Sequence, residues 1–471
     1  MTSTTVSYDT LLATITDPDG RAIPDPATGE VVGRVRFRPV EELDAAIARA
    51  RTAQIAWAAR TDEDRVDLLL RAADAVEAAT EPLAELLSRE QGKPLNGPNA
   101  RFEVGACVSW LRATAATTLP GETVVDDETT HAELRYRPLG VVGAIGPWNW
   151  PMMITIWQIA PALRMGNTTV VKPSEYTPLS VLALVEVLNS VLPQDVLQAV
   201  AGAGELGARL AGHPDIAKVM FTGSTRTGQA VIKSSAETVK RLTLELGGND
   251  AGIVLPDVDP QAIADDLFWG AFINTGQTCA AMKRLYVHAD VYDAVCAALV
   301  EIAANTPMGR GLHEANVLGP LQNRQQFDIV SRLVEAARAS GATLLTGGDP
   351  DRTAPGNFYP LTLVADIDND NPLVAEEQFG PALPIIRYRD VEDAITMANA
   401  LDVGLGASVW SADKAAARTI AARLEAGTVW INSHGGVHPM IPFGGVKQSG
   451  YGLEFGVEGL KSVSAPQVVN G

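Results

Sequence analysis

From Gly140 onward the chain alternates short apolar runs with helix-like stretches, and this rhythm limits the folds open to it more than any other feature. Residues 141–145 lead into a helix after Pro151, and 168–172 precede a helix over 178–188. Residues 196–201 precede a helix over 205–211, and 217–221 precede one over 225–234. A second series follows, with strand-like runs at 252–255, 284–288, 383–387, 407–410 and 428–432 and helices between them. Repeated strand–helix units require crossovers, and crossovers give parallel strands covered on both faces. Such sheets collect ligands at the carboxyl ends of their strands. Four polar motifs fall at those ends in the first series: Trp148-Asn149, Lys172-Pro173-Ser174-Glu175, Phe221-Thr222-Gly223-Ser224 and Glu245-Leu246-Gly247-Gly248. The last is expected to follow a strand over 239–244.

The chain before this region reads as support. Residues 41–56 carry an apolar stripe at Leu43, Ile47 and Ala50, and 62–79 carry one at Val66, Leu69, Leu70 and Ala73. These stripes, and the apolar stretch at 100–118, predict packing helices. Residues 123–125 and 134–137 read as strands flanking an acidic turn, either a surface hairpin or an arm. The Gly, Pro and Asp content of 346–356 marks a surface loop. At 471 residues the chain has room for two or three domains with large cores.

One cysteine stands apart from the other two. Cys107 and Cys296 lie in helical runs with apolar neighbours, where a thiol behaves as a small hydrophobe. Cys279 sits in Gly276-Gln277-Thr278-Cys279-Ala280, small and polar surroundings that leave room for a second molecule beside the sulfur. A thiol that can lose its proton is the best nucleophile among the side chains. Three widely spaced cysteines give no disulfide framework, and with six histidines they show no zinc-like spacing. His434 and His438 read as loop residues, so no metal is expected. The formal net charge of −19 argues against nucleic acid or an anionic membrane as partner. No apolar stretch reaches the roughly 20 residues of a membrane helix, and the first residues lack a secretory signal. A cytoplasmic protein is the expectation.

The order of the motifs carries a resemblance. Asp25-Pro26-Ala27-Thr28-Gly29-Glu30, Gly146-Pro147-Trp148-Asn149-Trp150-Pro151, Phe221-Thr222-Gly223-Ser224, Leu244-Glu245-Leu246-Gly247-Gly248, the Cys279 segment, Glu376-Glu377-Gln378-Phe379-Gly380-Pro381 and Pro442-Phe443-Gly444-Gly445 span nearly the whole chain. Together they resemble the NAD(P)-dependent aldehyde dehydrogenase superfamily. The resemblance implies an α/β fold of two doubly wound domains, one Rossmann-like for the cofactor and one catalytic, plus a small β oligomerisation arm. The expected boundaries are 1–118 and 139–246 for the cofactor-binding domain, 247–450 for the catalytic domain, and 119–138 with 451–471 for the arm and tail. It also implies a homodimer or homotetramer.

Aldehyde oxidation by a nicotinamide cofactor explains why these residue types are needed. A thiolate adding to the carbonyl makes a tetrahedral adduct whose collapse expels hydride, and the resulting thioester is hydrolysed by water. The resemblance makes Cys279 the nucleophile, the Asn149 amide and the Cys279 backbone N–H the oxyanion donors, and Glu245 the base for water. Read from local sequence alone, Asn149 serves equally as a turn cap and Glu245 as a solvated carboxylate. The resemblance assigns the cofactor to Trp148, Lys172, Ser174, Glu175, Gly204, Phe221, Gly223, Ser224, Leu246, Gly247, Glu377 and Phe379, with the Glu175 carboxylate favouring NAD over NADP. Gly202-Ala203-Gly204-Glu205-Leu206-Gly207 matches a dinucleotide fingerprint. The resemblance instead puts the diphosphate at Gly223-Ser224 and leaves Gly204 to border the adenosine half. The aldehyde would meet Trp150, Ile154, Trp157, Thr278 and Phe443, an apolar or aromatic lining, although a stripe at i, i+4 and i+7 also suits a core face. A coenzyme A-acylating enzyme is the alternative chemistry, although the glutamate at 245 points to a free acid. A non-catalytic relative of the same fold is the alternative outside catalysis.

Overall fold

A computed structural model describes residues 7–471. Val141–Ile145 and Thr168–Lys172 are buried at every position, as strands covered on both faces must be. They belong to a sheet in which Arg241–Glu245, Ile216–Thr222, Val141–Ile145, Thr168–Lys172 and Leu197–Ala199 run parallel in that spatial order. The chain builds outward from Val141–Ile145 in one direction, then returns to its other side with Ile216–Thr222. The reversal leaves a crevice beyond the carboxyl ends of those two strands. Pro151 opens the helix Pro151–Arg164, where its fixed φ and missing N–H are tolerated.

In a second sheet of seven strands Asp250–Val254 lies between Met282–His288, the middle strand, and Gly406–Trp410. Ala382–Tyr388, Thr362–Ala365 and Thr428–Ile431 extend it in parallel, and Thr343–Thr346 closes one edge antiparallel. Both doubly wound sheets expected from the alternation are present. Their relation was not legible. Cys279 precedes Met282, at the amino end of its strand, so the carboxyl ends of the first sheet and an amino end of the second share the site.

Strands Glu122–Asp126 and His131–Pro138 pair antiparallel, and the terminal strand Ser464–Asn470 joins the latter from Ser464↔Pro138 to Asn470↔Ala132. Parts of the two segments expected to form an arm, 122–138 and 464–470, therefore share one three-stranded sheet, while Tyr451 pairs with Leu244 of the first sheet and 456–462 is helical. Among the described residues no helix is long and apolar enough to cross a membrane.

Two local expectations fail. Leu70 is 39% exposed, because the buried face of the helix Asp62–Ala78 runs through Leu68, Leu69, Ala72, Ala73 and Val76. The strand before Glu245 begins at Arg241; Val239 is 91% exposed in a left-handed turn, φ 49°.

Candidate active site

One cleft of about 710 Å³ runs across the crevice of the first sheet. It is lined by Cys279, Asn149 and all twelve residues expected for the cofactor: Trp148, Lys172, Ser174, Glu175, Gly204, Phe221, Gly223, Ser224, Leu246, Gly247, Glu377 and Phe379. Ser224 caps the helix Thr225–Ser235, its side chain accepting the Thr227 N–H, so the free amides of that helix start open at the cleft. A Cβ added at Gly204 would meet no atom within 4 Å, which leaves that wall open for a ligand. Lys172 is largely buried, and burial lowers its pKa to about 8 against the opposing pull of Glu175. Glu175 also pairs with Arg21 at 3.3 Å. At the other end Trp148 and Phe379 meet edge to face, with ring centroids 5.3 Å apart. Glu377 accepts the Gly248 N–H at 3.3 Å, and a Cβ on Gly247 would fall 2.6 Å from its carboxylate. A dinucleotide fits this donor set: amides at a helix start for a diphosphate, polar side chains beside them, aromatic rings at the far end.

Cys279 stands between this cleft and an apolar cluster that includes Trp150, Ile154, Trp157 and Phe443. None of those four, nor Thr278, lines the cofactor cleft. Trp150 donates its indole N–H to the Thr278 hydroxyl at 2.9 Å. Trp157 packs edge-on against Phe455, and Phe443 stacks on Phe455. The stripe at 150, 154 and 157 does not mark a single face, because every residue of Pro151–Arg164 is buried.

The backbone approaching Cys279 is strained and heavily tied. Asn274, Thr275 and Gly276 have φ of 51°, 59° and 75°. The first two are non-glycine residues in a region that costs of order 1–3 kcal/mol each. Asn274 donates to the carbonyls of Asn149 and Gln277, Gln277 donates to Asn274 and Pro320, and Lys283 donates to Gly276. A Cβ on Gly276 would lie 2.2 Å from the Gly380 carbonyl oxygen, so only glycine fits. Asn149 is buried, and its side-chain amide donates to the Gln277 carbonyl at 3.0 Å. The amide keeps a second N–H.

Burial disfavours the charged forms of Cys279, Glu245 and Glu454. Burial, then the nearby charges of Glu245, Asp250 and Glu377, pushes the Cys279 thiol up to about 12. Burial, then Glu454, pushes Glu245 well above the usual carboxylate range, and both its carboxylate oxygens lack hydrogen-bond partners. Burial takes Glu454 to about 8 against the pull of Lys218. Sequence reasoning missed several supports of the site: Lys93, which donates to the Asn149 carbonyl, its ion-pair partner Glu103, then Asn274, Gln277, Lys283, Glu454 and Ser449, whose hydroxyl donates to the Gly247 carbonyl. Only the positive φ run has a signal, in Asn274 and Gly276. His434 is a loop residue as expected, but its side chain is buried and bonds Ser408 at 2.8 Å.

The sequence pattern of the aldehyde dehydrogenase family matches residues 16–469. A phenylacetaldehyde dehydrogenase from Pseudomonas fluorescens is 40% identical over 450 residues, 93% of this chain and 89% of that protein. A mutant of aldehyde dehydrogenase C from Pseudomonas syringae, solved with NAD+ and octanal, is similar with a TM-score of 0.92 and 34% identity over 97% of this chain and 94% of that one. An NADP-dependent enzyme from E. coli is similar with a TM-score of 0.93 and 32% identity over 95% and 94%.

Proposed function

This chain belongs to the aldehyde dehydrogenase family and is an oxidoreductase acting on aldehydes, and on that premise we propose that it oxidises apolar or aromatic aldehydes to carboxylic acids with NAD, through a covalent adduct on Cys279. The observation that carries this reading is the single cleft joining Cys279 and Asn149 to every residue expected for a dinucleotide; Glu245 is buried outside that lining, near enough for its charge to act on Cys279.

Cys279 releases its thiol proton to solvent and adds to the aldehyde carbon, and the free N–H of Asn149 with the Cys279 backbone N–H receives the charge that develops on oxygen. Such a preorganised donor contributes about 100- to 1000-fold in rate. NAD supplies the hydride acceptor when bound. The acyl group is left on the sulfur as a thioester. Glu245 then takes a proton from water as it attacks, which frees the acid and restores the thiol. The Glu175 carboxylate at the cleft favours an unphosphorylated ribose, hence NAD. Arg21 offsets part of that charge, so the preference is one of degree. The aromatic cluster behind Cys279 favours an apolar aldehyde, and the relatives named for phenylacetaldehyde and solved with octanal agree with that class.

We assign residues 1–118 and 139–246 to cofactor binding, 247–450 to catalysis, and 119–138 with 451–471 to contacts within a cytoplasmic homodimer or homotetramer. The test is a panel of aliphatic, aromatic and charged aldehydes with NAD or NADP, followed by NADH or NADPH appearance and product analysis. The reading expects free acid as product, NAD favoured, the apolar members ranked highest in kcat/KM, and no turnover in Cys279→Ala. A product that is a thioester only when coenzyme A is added would overturn it.

A further inference from the structure

Behind the cleft lies an ion pair that the scheme above leaves unused. Lys93 and Glu103 are both fully buried, with Nζ and Oε2 2.6 Å apart. Lys93 also donates to the Asn149 carbonyl at 2.8 Å and sits 3.5 Å from the centroid of the Trp150 ring. Its ammonium therefore faces a carboxylate, a carbonyl and an aromatic face. The other oxygen of Glu103 accepts the N–H groups of Met152 and Met153 at 2.9 and 3.1 Å. Those are free amides at the start of Pro151–Arg164, a helix whose own N-cap residue, Trp150, supplies no side-chain bond. Every hydrogen bond that the two side chains make outside the pair goes to residues 149–153.

A buried pair is a poor device for stability alone, since apolar residues of similar volume commonly serve as well. What this pair does is fix one peptide. The Asn149 carbonyl is held from one side by Lys93 and from the other by Asn274. The same residue's side chain reaches the Gln277 carbonyl, two positions before Cys279. Rotation of the 149–150 peptide would swing that amide away from the sulfur, and an error of about 1 Å at a reacting group costs on the order of 100-fold.

We propose that Lys93 and Glu103 are positioning residues that aim the Asn149 amide at the oxygen of the Cys279 adduct. The proposal rests on Asn149 as an oxyanion donor, as read above. Loss of the pair slows adduct formation and every later step that puts charge on the same oxygen, while leaving cofactor affinity alone.

The test is a double-mutant cycle on the full-length protein. Lys93→Met with Glu103→Gln removes both charges at near-constant volume, and Glu103→Gln alone serves as a milder change if the double variant folds poorly. Each is made in the native chain and in Asn149→Ala. The readouts are melting temperature, NAD affinity, the pre-steady-state burst of NADH, and the isotope effect on that burst with aldehyde deuterated at C1. The expected result is a burst slowed about 10- to 100-fold with an enlarged isotope effect. NAD affinity should stay within about twofold, and no further loss should appear in the Asn149→Ala background. A native-like burst in a folded variant, or equal losses in both backgrounds, would overturn the proposal. If Asn149→Ala alone leaves the burst unchanged, the oxyanion reading fails first, and this inference falls with it.

Discussion

Cys279 presents a nucleophile held in its unreactive form. Its thiol sits at about 12 because burial and then three carboxylates disfavour the thiolate. A raised thiol pKa means a small thiolate fraction at neutral pH that grows about tenfold per unit. Inactivation of the free enzyme by iodoacetamide should therefore keep rising through pH 9; a plateau near pH 7 would mean that the thiolate is already formed. Glu245 has the opposite requirement. Burial and then Glu454 raise its pKa and favour the neutral carboxyl, and only the deprotonated form accepts a proton from water. The hydrolysis step should therefore accelerate as pH rises. Glu245→Gln should give one burst of NADH per site, then turn over about 100- to 10,000-fold more slowly, with that pH dependence lost. An unchanged steady-state rate would remove Glu245 from the base role.

The turn Ile273–Gly276 shows how an element stores strain for the residue that follows it. Two non-glycine residues in the left-handed region persist because side-chain bonds from Asn274, Thr275, Gln277 and Lys283 over-determine the turn. Gly276→Ala places a Cβ against the Gly380 carbonyl and should destabilise the protein by about 2–4 kcal/mol, read by denaturant unfolding, with a loss of burst amplitude. A neutral effect would mean that the turn relaxes freely. The helix Pro151–Arg164 makes the complementary point: its Asn149-bearing entrance is held from outside, by Lys93 from the loop after the helix Thr80–Gln91 and by Glu103 on the helix Ala100–Ala116.

The whole molecule sets two parallel sheets so that the carboxyl ends of one meet an amino end of the other, and the cleft is the seam. The arm sheet stands apart from both, built from residues 122–138 and the chain terminus. Removing residues 464–471 would expose one edge of His131–Pro138. The truncated chain should sediment as a smaller species than the native one. An unchanged assembly would argue that the arm is no subunit contact.

The sequence by itself determined the central strands, because a strand buried on both faces reads as a near-continuous apolar run, and such runs at 141–145 or 407–410 need no tertiary context to be seen. It determined the polar motifs at the ends of the first sheet, and so part of the cleft's lining. Its failures were local where one-dimensional pattern is ambiguous: Leu70 fits a stripe but faces water, and Val239 continues an apolar run but turns away. Tertiary structure alone decided what surrounds those motifs. Lys93 reaches Asn149, Glu454 reaches Glu245 and Ser449 reaches Gly247 across stretches of chain that carry no periodic signal. Burial then shifts the charges of Cys279 and Glu245, because desolvation depends on neighbours from every part of the fold, and no local window of sequence contains them.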